Sequence, residues 1–231
     1  MLVAAAVCPC PPLLVPDVAS GAAPELDPLR AACADALAVP AAARPDLLVV
    51  VGAADSAHVW EGGGTGSLRP YGVNLSVRLG DGSDPEPLAP SLTLAAWLLT
   101  RAGSTAPLHA AGVPVTAPAA RMLELGRGLA ELADRVALLV MGDGSTCRTL
   151  KAPGYLDERA EPFDASVARA LGAADTEALA ALDVPLATEL GAAGRAPWQV
   201  LAGAADGAGL SGDLLYDQAP YGVGYFVAAW S

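Results

Sequence analysis

The sequence predicts a single α/β domain of three layers, with a mixed central sheet between helices on both faces. Three observations carry that prediction. Short apolar runs of strand length alternate with alanine-rich segments of helical length along the chain. Two of the runs, Asp46–Gly52 after its first residue and Val136–Met141, are continuously apolar, as strands covered on both faces are. No flexible stretch is long enough to separate two domains, and 231 residues can bury one large core.

In chain order, Leu2–Val7 is an apolar first strand. Asp27-Pro28 offers a cap followed by proline at the first helical position, which predicts a helix over Pro28–Leu37. The buried strand Asp46–Gly52 follows, ended by glycine. Val73–Val77 alternates and reads as a strand with one wet face. Gly80–Pro90 is rich in Gly, Asp, Ser and Pro and reads as a surface loop. Leu92–Arg101 and Ala119–Leu132 are helical, with the strand Val136–Met141 after them. Asp164 is expected to cap a helix over Ala165–Leu171, and Thr176 to start another through Leu182. Pro197–Ala205 is helical, with proline in its first turn. Leu214–Tyr216 and Tyr221–Trp230 read as two closing strands. Trp97, Met122 and Trp198 fall at helix positions and read as core.

Composition excludes several classes of function. The formal net charge is -12, so the surface repels phosphate backbones and nucleic acid is not an expected partner. No apolar run approaches bilayer length, and no basic residue precedes Arg30, so neither a membrane span nor a secretory signal is expected. Four cysteines at irregular spacing make no disulfide framework. These features predict a cytoplasmic protein with reduced thiols, expected to be a homo-oligomer.

Candidate chemistry gathers where strands end, the usual place for a site in an open α/β sheet. The first strand runs into Cys8-Pro9-Cys10-Pro11-Pro12, a stiff turn carrying two thiols. The second ends at Ala53–Trp60, which contains His58. After Met141 comes the densest polar block of the chain, Gly142–Arg159. It holds Asp143, Ser145, Cys147, Arg148, Tyr155, Arg159 and Lys151, the only lysine. Ordered loops of this length are commonly functional. Tyr216–Tyr225 is a fourth contributor, with glycines that allow close backbone approach.

Four segments, Cys8–Pro16, Asp46–Ala54, Val140–Asp164 and Arg195–Tyr225, resemble the class III extradiol ring-cleavage dioxygenases of the LigB type. The Pro-Pro-Leu-Leu turn, the Gly-Asp-x-Ser loop followed by Pro-Phe-Asp, and the terminal Pro-Tyr-Gly-Val-Gly-Tyr carry the resemblance. It implies one LigB-like domain over residues 1–231. In that family two histidines and a glutamate hold ferrous iron, with open positions for dioxygen and a catechol. The matching positions here are Cys10, Ala53-Ala54 and Gly194, and the family's acid/base histidine falls at Thr146 beside Cys147. The resemblance therefore implies the fold and a strand-end pocket, but a chain without the family's Fe(II) ligands. The expected function is that of a non-iron pseudoenzyme that keeps a small-molecule pocket.

Other readings stay open on the sequence. An active ring-cleaving oxidoreductase with relocated ligands is one. A thiol or zinc enzyme is another, using Cys10 or Cys147, with Cys8, Cys10 and Cys147 as the possible zinc thiolates. A structural or interaction protein is the third. No cofactor is predicted outright. Candidate catalytic groups are Cys147, Lys151, Asp143 and His58. The expected ligand is a small anionic or aromatic molecule. Cys10, Ser145, Arg148, Lys151, Arg159 and Arg195 would contact or anchor it, and Tyr155 and Tyr221 would stack on it.

Overall fold

A computed structural model describes residues 1–231. Nine strands are formed: β1 (Leu2–Cys8), β2 (Leu47–Ala54), β3 (His58–Glu61), β4 (Gly64–Ser67), β5 (Ser76–Leu79), β6 (Leu108–Pro114), β7 (Val136–Met141), β8 (Gly212–Gln218) and β9 (Tyr225–Trp230). The helices are α1 (Pro16–Ala19), α2 (Asp27–Ala43), α3 (Pro90–Ala102), α4 (Ala119–Ala130), α5 (Ala160–Gly172), α6 (Thr176–Ala180), α7 (Val184–Glu189) and α8 (Arg195–Ala204).

Seven strands make one sheet in the order β3-β6-β2-β7-β1-β9-β8. The central four, β6, β2, β7 and β1, are parallel; β3, β9 and β8 join antiparallel at the edges. The mixed α/β sheet predicted from the sequence is present. Residues of the central strands alternate between two buried layers, apart from a register shift at Leu2–Ala4 of β1. On β7, Val136, Leu138 and Val140 face α4 and α8, while Ala137, Leu139 and Met141 face α2 and α3. Both faces of the central strands are apolar because both are covered, which is why these runs show no polar alternation. No helix is long and apolar enough to cross a membrane.

Chain direction sets where a site can form. The chain leaves β1 and β2 toward the α2/α3 layer, and leaves β6 and β7 toward the α4/α8 layer. Strand β7 lies between β1 and β2, so both of its borders are points where successive connections diverge. Crevices open at the carboxyl ends of strands at such points.

Several local expectations are corrected. Helix α2 continues past Leu37 to Ala43, through the buried Pro40. Proline removes one helical hydrogen bond, but the alanines around it favour the helix strongly and keep it going. Asp164 caps nothing. The helix starts at Ala160, and Asp164 is fully buried inside it. The alternation at Val73–Val77 is displaced, since the strand is Ser76–Leu79 and pairs with β4 in a separate ribbon. Strands β3, β4 and β6 were not expected at all. Their sequences, His58–Glu61, Gly64–Ser67 and Leu108–Pro114, are short, glycine-bearing or flanked by proline, and become strands only through their partners.

Candidate functional site

At the carboxyl ends of β1, β2, β6 and β7 lies a cavity of about 760 Å³. Four strand-end segments build it: Cys10 after β1, Ala53–Ser56 at the end of β2, Pro114–Thr116 after β6, and Asp143 after β7. The far wall is Glu86–Ser91 with Trp60 and His58. The walls are tied to one another and, at Val115–Ala117, braced from behind. The Ser91 hydroxyl donates to the Ala53 carbonyl at 2.7 Å, and the Trp60 indole N–H to the Glu86 carbonyl at 2.9 Å. Arg195 donates to the carbonyls of Val115 and Ala117 and to Gln199.

Asp143 and Cys10 meet across the β1/β7 border. The Cys10 backbone N–H donates to Asp143 Oδ1 at 2.8 Å, and its thiol lies 3.8 Å from Oδ2. Burial raises the Asp143 carboxyl to about 6, against the lowering effect of those two donors. The Cys10 thiol is raised well above its ordinary value, first by burial and then by the Asp143 charge. It therefore stays protonated at neutral pH, which argues against the alternative of Cys10 as a nucleophile. The Tyr225 phenol beside this pair is raised by burial and by the Asp143 charge.

Asp143 is held from behind by a buried network. Asp164 accepts from the Ser145 N–H and hydroxyl, both at 2.8 Å, and from Arg148 Nη1 at 3.2 Å. The Gly144 N–H donates to the Gly224 carbonyl and the Gly224 N–H to the Ser145 carbonyl. A Cβ on Gly144 would lie 2.7 Å from Phe226, so the loop passes where only glycine fits. Ser145 and Arg148, expected to contact a ligand, are thus committed to holding the loop.

Most of the remaining expected contacts lie elsewhere. Arg195 is buried and turned to carbonyls. Arg159 pairs with Asp157 and Glu189 at 2.7 Å each. Lys151 and Tyr155 are exposed, and the Tyr221 hydroxyl donates to Glu25 at 2.8 Å. None of these lines the cavity. Its charged lining is Asp55, Glu86 and Asp143, with no lysine or arginine, so the basic anchor expected for an anion is absent. His58 does line it, edge-on to Trp60, with Nε2 3.2 Å from Asp84. Asp84 and the pinned Glu86–Ser91 wall were missed in the sequence, because their role depends on a fold-back of the Gly80–Pro90 loop.

The three thiols do not converge. Cys8 is fully buried on the α2 side with Cys33, and Cys147 is buried on the opposite face, its Sγ 3.5 Å from the Leu190 carbonyl. Only Cys10 reaches the cavity. Alternation along β1 turns Cys8 into the core, so the zinc thiolate set that the sequence left open is not assembled. Cys147 is shut off, and Arg148 beside it faces Asp164 instead.

The residues do not fit the iron centre that the resemblance implies. Ala53 and Ala54 bring no donor atom, and Thr146 Oγ1 is directed at the Leu190 carbonyl at 3.3 Å. At Gly194 a Cβ would lie 2.2 Å from Trp198 Cζ2, so the indole fills the space a glutamate would need. Around His58 no set of three His, Cys, Asp or Glu side chains gathers that could replace them.

No family model and no curated protein matches the chain. Among solved structures it is similar to the uncharacterized protein JW3007 from Escherichia coli K12, at 18% identity over 98% of each chain, with a TM-score of 0.49. A likeness of that size carries no argument about fold or function.

Proposed function

We propose that this protein is a divergent relative of the class III extradiol dioxygenases that binds a small molecule at the strand ends and does not use the family's iron. One observation carries the reading. The cavity at both borders of β7 is well formed and braced, while the residues that the resemblance sets at the family's functional positions, Cys10, Ala53-Ala54, Thr146 and Gly194, offer no histidine or carboxylate. A pocket kept without its metal donors fits ligand binding better than dioxygen chemistry. The three carboxylates on its wall favour an uncharged or positively charged ligand over the anion expected from the sequence. The setting we propose is the cytoplasm, where the four free cysteines would stay reduced.

The test has a metal arm and a ligand arm. Protein purified without chelator should carry iron far below one per chain and take up no Fe(II) anaerobically. A thermal-shift screen of neutral phenols and small amines should find stabilising ligands that Ala54→Phe, which fills the cavity, no longer responds to. One tightly held iron per chain, lost on Cys10→Ser, would overturn the proposal. So would ligand binding that survives the filled cavity.

A further inference from the structure

A second cleft lies at the opposite end of the sheet, below the amino ends of β2 and β6, between the last turns of α2 and α3. Its volume is about 570 Å³. Leu37, Leu48 and Leu99 make its apolar wall, and Arg44, Ser104 and Thr105 make its polar rim. No carboxylate lines it, in a chain with 25 acidic residues against 13 basic ones.

Arg44 is the informative residue. Its guanidinium has no ion-pair or hydrogen-bond partner, as is also true of the surface residues Arg127 and Arg169, but Arg44 alone brings a charge to the lining of this cleft. Its backbone is left-handed, φ 49 and ψ 64, at the position after a helix that glycine usually takes. Arg135 holds it there, with Nη2 donating to the Ala43 carbonyl at 2.6 Å and Nε facing the Arg44 carbonyl at 3.4 Å. A strained backbone that sets a free cation on the rim of an apolar cleft points to a ligand. Helix ends oppose anions through their free carbonyls, but several here are already occupied. The Leu99 carbonyl accepts from Ser104, the Thr100 carbonyl from Gly103, and the Ala41 carbonyl from Arg44.

We infer that this cleft binds a small amphipathic carboxylate, whose head pairs with the Arg44 guanidinium and whose apolar body, about eight carbons long, covers the leucine wall. The site is separate from the strand-end cavity and does not depend on what that cavity binds.

Octanoate is the probe, followed by amide NMR of the full chain. Saturable shifts are expected in residues 37–48 and 99–106, with none at Ala53–Ser56 or Asp143. Arg44→Gly relieves the backbone and should fold at least as well, yet bind octanoate about tenfold or more weakly, with Arg44→Lys between the two. Octan-1-ol, which keeps the body without the charge, should also bind about tenfold more weakly. Octanoate that leaves the cleft unmoved overturns the inference, as does equal binding by Arg44→Gly. Equal binding of octan-1-ol would make the cleft merely apolar and overturn it too.

Discussion

The two ends of the central sheet are built on opposite terms. At the carboxyl end, four loops meet, tied to one another and to the far wall by hydrogen bonds, and the wall carries Asp55, Glu86 and Asp143 with no lysine or arginine. At the amino end, two helix termini and two strand starts leave an apolar cleft with one unpaired arginine and no carboxylate. The carboxyl end can tolerate a half-buried acid because backbone N–H groups are at hand to hold it, as the Cys10 N–H holds Asp143. The amino end also holds a carboxylate on a backbone N–H, Asp46 on that of Arg135, but outside its cleft, whose rim is Arg44, Ser104 and Thr105. The two sites differ in which charge reaches the lining.

Four substitutions test that contrast. The largest effect is expected for Asp164→Ala, which leaves the buried Ser145 donors unpaired and removes the buried partner of the partly exposed Arg148. Denaturant unfolding should show a loss of about 3–5 kcal/mol. At temperatures where the variant stays folded, the Arg44 cleft should still bind octanoate normally. Loss of both sites together would show that the two ends are not independent.

Gly194→Glu comes next. The new side chain must displace Trp198 from a fully buried position, and overpacking of this kind costs about 1–3 kcal/mol or more. The variant should gain no Fe(II) affinity by anaerobic titration. Iron binding restored by this one change would mean that the carboxyl end is still an iron site lacking only a ligand.

Asp143→Asn is expected to stabilise the protein. The Asp143 carboxyl is raised from 3.8 to about 6, so between those values the folded state binds more protons than the unfolded one. Wild-type stability therefore falls as pH rises through that window and levels off above it. The full effect is at most about 3 kcal/mol, because each tenfold change in a group's acidity on folding is worth about 1.4 kcal/mol. Asparagine can still accept from Cys10, so the variant should lose the slope across that window and be the more stable protein at neutral pH. A wild-type stability that rises with pH across this range would show that the carboxyl end favours the charged form.

The smallest effect is at the other end. Arg44→Gly should raise stability by about 1 kcal/mol, since glycine adopts the left-handed conformation without strain. Thermal unfolding reads it directly. A variant less stable than wild type would show that the Arg44 side chain, rather than Arg135 beneath it, holds that corner.

Much of the fold was legible, and rather less of the site. The runs Leu2–Val7, Asp46–Gly52 and Val136–Met141 became the buried parallel strands β1, β2 and β7, because continuous apolarity over strand length has few other outcomes. The Cys10 turn and Asp143 were both read as strand-end features, and the structure brings them together. Misplaced residues failed for a common reason. Asp164 has the composition of a cap, Arg195 and Arg148 that of surface anchors, and Cys8 and Cys147 that of a thiol cluster. Each side chain's direction is set by helix phase or strand alternation relative to partners far along the chain. Asp164 is 19 residues from the Ser145 it holds, and Arg195 is 80 from Val115.

The sequence by itself determined the α/β class, the buried strands β1, β2 and β7 with the helices between them, and the acidic composition, and it pointed to the strand ends as the place to look for a site. These follow from local apolar periodicity and composition, which each segment carries alone. Only the tertiary structure decided that Cys10 meets Asp143 while Cys8 and Cys147 turn to opposite faces. It also decided that Trp198 fills the space beside Gly194, and that Arg44 stands free over an apolar cleft. Those outcomes depend on which face a residue presents and on what packs against it, and one residue's shift in register or phase would reverse them.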